Sequence, residues 1–156
     1  MDPSHFSINQ LHPWDKCLKI LYWGCLIQMV NLFLITVLSE IRNLKISKVI
    51  LGGFSMGGHV AIHSVFRNNV QVDKCFAMSS FLINQSEVYK SLSNNNLCQI
   101  PLFIVHGDCD KIVPYQWAQT THRKLLDLNI KSKFLLYKKL DHEIREDEVH
   151  DVFRWI

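Results

Sequence analysis

Two rhythms of apolar and polar positions alternate along the chain from about residue 30 onward. Four short apolar runs bounded by turn residues, Lys48–Gly52, Asp73–Ser79, Pro101–His106 and Lys133–Tyr137, predict β-strands. Between and around them, longer stretches with apolar residues three and four apart predict helices over about Met29–Asn43, Met56–Arg67, Tyr115–Leu128 and from Arg145 to the end. The third of these is punctuated by Pro114 at its start and Asn129 just past its last apolar residue, in keeping with capping preferences. In the last, Val149, Val152, Phe153 and Ile156 form one apolar stripe able to lie against a sheet. Ser91–Gln99 reads as a polar surface loop. The alternation as a whole predicts β-α-β units and an α/β fold around a parallel sheet of about four strands flanked by helices.

Parallel order directs attention to particular loops. In open α/β sheets ligands sit beyond the carboxyl ends of the strands, so reactive residues belong in the segments that follow each strand. Ser55, Asp108, Asp110 and His142 all fall in such segments.

Gly53-Phe54-Ser55-Met56-Gly57 fits the pattern G-x-S-x-G, directly after a predicted strand and directly before a predicted helix. A nucleophile elbow needs that context, because its serine sits on a tight, strained turn that tolerates no bulk from its neighbours. Gly53 and Gly57 leave the room, and Gly58 allows the new helix to approach the sheet closely. The bland reading is a polar residue in a glycine-rich turn between strand and helix. A serine nucleophile also needs a base, and the base an orienting acid. Both follow in the chain order Ser, acid, His.

Asp108 and Asp110 compete for the acid. Asp110, further from the strand end, is placed to reach over the sheet, whereas Asp108 suits an Asx-type turn with its own loop's amides. His142 follows the fourth strand. Of the other histidines, His59 and His63 sit four apart on a helix without a nearby carboxylate or thiol, which favours packing over metal binding. His106 is expected to bond locally, and His122 and His150 to face solvent. The backbone N–H of Met56, at the start of the helix, is the expected oxyanion donor. No segment within residues 1–47 resembles a strand ending in a His-Gly loop that would supply a second donor.

Composition narrows the class. At 156 residues with 48% hydrophobic and 20% charged positions, the chain can bury one ordinary globular core. A net charge of +3, with its 17 Lys and Arg scattered, leaves no basic stripe for nucleic acid. Five widely spaced cysteines without a C-x-x-C pair suggest neither a disulfide framework nor a thiolate zinc site, and fit a reducing, cytoplasmic compartment. Residues 20–38 are nearly all apolar, but Gln28 and Asn31 lie mid-run, Gly24 interrupts it, and Lys and Arg flank both ends. It reads as a buried helix, with membrane contact at most peripheral.

With LGGFSMGG at the elbow, HGDCD-x-x-VP at the acid loop and a late histidine in register, the chain resembles the acyl-protein thioesterase and lysophospholipase (carboxylesterase) family of α/β-hydrolases. AMSSFL at 77–82, Val88-Tyr89, Trp117-Ala118 and His142-Glu143 point to its lysophospholipase-like branch. The resemblance implies a serine hydrolase of esters or thioesters, without metal or cofactor, acting on S-acylated proteins or small acyl esters. It implies Ser55 as nucleophile, Asp110 as acid, His142 as base and Met56 as oxyanion donor. Members begin with strands and a His-Gly-Leu-Gly loop absent here, so residues 29–156 read as an N-terminally incomplete hydrolase domain and 1–28 as a divergent segment. The alternative is a catalytically impaired fragment that binds acyl chains or a protein.

Overall fold

The structure, a computed structural model, describes residues 48–94 and 99–156. The predicted helix over Met29–Asn43, the apolar run 20–38 and the divergent segment 1–28 lie outside the described residues. Four strands, β1 (Ile50–Phe54), β2 (Lys74–Met78), β3 (Leu102–Gly107) and β4 (Ser132–Tyr137), alternate with four helices, α1 (Met56–Phe66), α2 (Glu87–Asn94), α3 (Tyr115–Asp127) and α4 (Glu146–Trp155). Each strand pairs parallel with the next, giving the order β1-β2-β3-β4.

The sequential order has a consequence for layering. When every crossover has the usual right hand and the sheet grows in one direction, all the connecting helices fall on one face. Here α1, α2 and α3 share a core with Leu51, Cys75, Ala77, Leu102 and Ile104, through Ile62, Val65, Val88, Leu92 and Leu125. The alternate strand residues, Ile50, Phe76, Met78, Phe103 and Val105, form the second core with Val152 of α4. Successive side chains of a strand point to opposite faces, so a strand covered on both must be apolar throughout, and β3 is buried along its whole length. Each fully buried side chain of this size is worth roughly 1.5–3 kcal/mol.

The last helix is fastened at its C-terminal end. Trp155 packs its ring on Phe103, with centroids 5.4 Å apart, and the Lys74 ammonium lies 4.8 Å over the same indole while donating to the Trp155 carbonyl. Lys48 donates likewise to the carbonyl of Ile156. Two cations at the negative end of the helix dipole hold α4 against the N-terminal ends of β1 and β2.

The polar loop expected over Ser91–Gln99 is corrected in its first part, because Ser91–Asn94 form the last turn of α2. Val88 and Leu92, four apart and buried, hold that short helix to the core, and their burial outweighs the low helix preference of serine and asparagine. Asn129 ends α3 in a left-handed conformation, φ 61°, with its amide bonded to the Leu126 carbonyl at 2.9 Å. Among the described residues, no helix is long and apolar enough to cross a membrane.

Candidate active site

The site is built where β1, β3 and β4 end. The chain leaves β1 at Phe54 and enters α1 at Met56, so the whole reversal falls on Ser55, which takes φ 53° and ψ −120°. The glycines around it have ordinary φ values and serve by being small. A Cβ on Gly53 would lie 2.5 Å from the Gly57 carbonyl carbon, and one on Gly58 would lie 2.8 Å from Ser80 Cβ and 2.9 Å from the Gly53 carbonyl oxygen. The strand and the helix therefore touch backbone to backbone, and this contact forces the sharp turn at Ser55.

A serine at a helix N-cap ordinarily accepts a bond from the first-turn amides. Ser55 does not: its side chain makes no capping bond, and its Oγ lies 3.0 Å from His142 Nε2. His142 Nδ1 lies 2.8 Å from Asp110 Oδ2. Asp110 Oδ1 in turn accepts the amides of Ile112 at 2.9 Å and Val113 at 2.7 Å. Ser55, His142 and Asp110 thus form one hydrogen-bonded line across three loops. The Phe54 ring, 4.8 Å from the imidazole, bounds it on one side.

Burial alone would raise the Asp110 pKa, but the hydrogen bonds from His142, Val113 and Ile112 overcome it and hold the carboxyl below its ordinary value. With the carboxylate charged, the imidazole keeps its proton on Nδ1 and presents Nε2 to the serine as an acceptor. Met56 opens α1, and its amide is among the first-turn donors that find no acceptor inside a helix.

The competing acid does something else. Asp108 was expected to cap its own loop, yet its Oδ1 accepts the Lys139 amide of the neighbouring loop at 2.6 Å, while the Asx-type role falls to Asp110. Asp141 was not singled out by the sequence, and its Oδ1 accepts the amides of both Lys111, at 3.0 Å, and His142, at 2.9 Å. The aspartate beside a late histidine was the signal available.

The other histidines have partners of their own. His59 Nδ1 lies 2.9 Å from the Phe81 carbonyl and stacks on His63, whose Nε2 lies 3.2 Å from Ser86 Oγ. Burial first, then His59 and Arg67, bring the His63 pKa down to about 4. His106 is fully buried and donates from Nε2 to the Val113 carbonyl at 2.8 Å, with burial favouring its neutral form. His122, expected at solvent, is instead half-buried with Nδ1 2.8 Å from Ser132 Oγ and its ring stacked on Phe134, because β4 runs beneath α3. His150 is exposed and lies 3.8 Å from Glu146. Among the described residues, no three His, Cys, Asp or Glu group together so as to hold a metal ion.

Known proteins resemble the chain in sequence and in fold. The mouse (Mus musculus) lysophospholipase-like protein 1 is 34% identical over 110 residues, which is 70% of this chain and 46% of that protein. Acyl-protein thioesterase 1 homolog 1 of Dictyostelium discoideum is 26% identical over 118 residues, 75% of this chain and 51% of that protein. The chain thus spans about half the length of these relatives. Among solved structures, a phospholipase/carboxylesterase from Dyadobacter fermentans superposes with a TM-score of 0.63 at 27% identity, over 80% of this chain and 60% of that one. The fold is that of the α/β-hydrolases. The phospholipase/carboxylesterase family model matches residues 27–156, and the chain belongs to that family.

Proposed function

We propose that the chain is a serine hydrolase of carboxylic esters or thioesters, with S-acylated proteins or small acyl esters as its substrates. The single observation that carries this reading is the 3.0 Å approach of Ser55 Oγ to His142 Nε2, with Asp110 2.8 Å behind the imidazole. In it, Ser55 is the nucleophile, His142 the base and Asp110 the acid that orients it.

The chemistry follows from those positions. Ser55 gives its proton to His142 Nε2 as its oxygen attacks the acyl carbonyl carbon. Negative charge collects on the former carbonyl oxygen, where the Met56 N–H and the positive end of the α1 dipole stabilise it. The imidazolium, held by Asp110 through Nδ1, returns the proton to the departing alcohol or thiol. An acyl-enzyme at Ser55 remains, and water activated by His142 releases the acid. Each oxyanion donor contributes about 10²- to 10³-fold to turnover.

Labelling of the purified full chain by a fluorophosphonate tests the proposal. Labelling that Ser55→Ala abolishes, together with ester or thioester turnover, is the expected result. A folded chain that neither labels nor turns over any acyl ester overturns it. The exposed apolar side chains of Met56, Ile112 and Trp117, each after the carboxyl end of a strand, favour a second reading as a module that binds acyl chains. That reading requires acyl-chain binding to survive in an unlabelled chain.

A further inference from the structure

The acid loop and the histidine loop are tied to each other by more than the bond between Asp110 and His142. Asp108 lies two residues before the acid, and its carboxylate crosses to the Lys139 amide at the start of the histidine loop, at 2.6 Å. Asp141 lies one residue before the histidine and crosses the other way. Its Oδ1 bridges the Lys111 amide, next to the acid, and the amide of His142 itself, at 3.0 and 2.9 Å. Backbone bonds run alongside, from the Asp108 amide to the Tyr137 carbonyl at 2.9 Å and from the Cys109 amide to the Leu140 carbonyl at 3.0 Å. Gly107 permits the approach, since a Cβ there would lie 2.2 Å from the Leu140 oxygen.

We infer that Asp108 and Asp141 are positioning residues, a reciprocal pair of carboxylates that lock the loops of Asp110 and His142 into one unit and so fix the distance between acid and base. The inference rests on the proposed roles of Asp110 and His142. One oxygen atom of Asp141 joins the backbone next to the acid to the backbone of the base, so a change in its position moves both. The carboxyl of Asp141 is held below its ordinary pKa by the Lys111 amide first and the His142 amide second, which keeps it charged and its bonds charge-assisted. The Lys111 ammonium, 3.5 Å from Asp141 Oδ2, is exposed and adds little, leaving the amide bonds as the working contacts. Lys139, whose amide Asp108 accepts, takes φ 57°, a left-handed conformation unusual for lysine.

The test compares Asp→Ala with Asp→Asn at both positions in the full chain. Asparagine keeps a side-chain oxygen for the amides, whereas alanine removes it. Displacing reacting groups by ~1 Å can cost about 10²-fold, so Asp141→Ala and Asp108→Ala should each slow fluorophosphonate labelling about 10- to 100-fold, with KM for a small ester nearly unchanged. The Asn variants should stay within a few-fold of the parent. Circular dichroism below the melting temperature shows that each variant is folded.

A second readout does not depend on activity. The His142 Nδ1 proton bonded to Asp110 should give a far-downfield NMR resonance that persists in the parent and Asn variants and broadens by faster exchange in the Ala variants. Folded Ala variants with parental labelling rates and an unaltered resonance would overturn the inference. So would Asn variants as impaired as the Ala ones. A parent that never labels fails the proposed hydrolase activity instead, and the resonance then decides the inference alone.

Discussion

Ser55 stands at the N-cap of α1, and its hydroxyl bonds the imidazole of His142, 3.0 Å away, rather than the helix it begins. A helix start thereby loses its cap, and a non-glycine residue is held at φ 53°. Strain of this kind costs of order 1–3 kcal/mol and persists only where the surroundings over-determine it. Here the backbone contact of Gly53 with Gly57 on one side, and the bond from the Ser55 amide to the Met78 carbonyl at 2.8 Å on the other, do so.

Two substitutions separate the strain from the chemistry. Ser55→Ala and Ser55→Gly both remove the hydroxyl and should both abolish labelling and turnover. Glycine accepts the backbone conformation that alanine resists, so Ser55→Gly should be the more stable of the two by about 1 kcal/mol. Equal urea midpoints and equal slopes for the two variants would show that Ser55 carries no such strain.

The turn itself should be sensitive to one methyl group. Gly53→Ala places a Cβ 2.5 Å from the Gly57 carbonyl carbon, and backbone on both sides leaves nothing flexible to yield. The strand and helix must separate, at a cost of roughly 1–3 kcal/mol. The Ser55 hydroxyl moves with them, so the labelling rate of the folded fraction should fall as well. A variant with the parent's denaturation midpoint and labelling rate would mean that the close approach is not required.

How far the sequence foretold this arrangement depended on how local each signal was. The four strands are short apolar runs between turn residues, a pattern that survives in isolation, and the elbow glycines announce a close approach because only their lack of a side chain permits it. The α2 helix leaves little trace in the sequence because Ser91, Ser93 and Asn94 carry loop-like polarity, while its two anchors, Val88 and Leu92, are too few to set a period. The partner of Asp108 lies 31 residues away in another loop, and no spacing rule links them. His122 likewise takes its environment from β4, reached only through tertiary packing. Ser55, Asp110 and His142 meet because consecutive parallel strands deliver their loops to one rim, and that much follows from strand order alone.

The two acid-loop aspartates make opposite predictions. Asp110→Asn keeps the oxygen that accepts the Ile112 and Val113 amides but turns an NH₂ toward His142 Nδ1, where a donor already stands. The imidazole must then carry its proton on Nε2, facing the serine, and can no longer act as base. By the precedent of such triads, kcat/KM should fall by about 10³- to 10⁴-fold with the fold retained. Asp108→Asn leaves the tautomer untouched and should cost no more than a few-fold. Kinetics of both on one small ester decide between them, and the reverse ranking would transfer the role of acid to Asp108.

The buried carboxyl of Glu148 should give the fold a pH dependence that has nothing to do with the reacting groups. It is fully buried on α4, and neither of its oxygens has a hydrogen-bond partner. Burial chiefly raises its pKa to about 7, with Asp147 adding and the Arg145 backbone and charge opposing. The unfolded chain ionises this group near its ordinary value of 4.5, whereas the native state holds the proton until about 7. Between those values the native state binds more protons than the unfolded one, so this contribution to stability is complete below about 4.5 and is lost as pH rises toward 7. The loss is on the order of 3 kcal/mol, and above pH 7 it levels off. Glu148→Gln, which cannot ionise, should remove that slope, so that urea unfolding at pH 5 and pH 8 shows the parent losing stability relative to the variant, while His63, its pKa held down to about 4, affects both proteins alike. A parent and variant with parallel stability curves across this range would show that Glu148 ionises in the native state as it does in the unfolded chain.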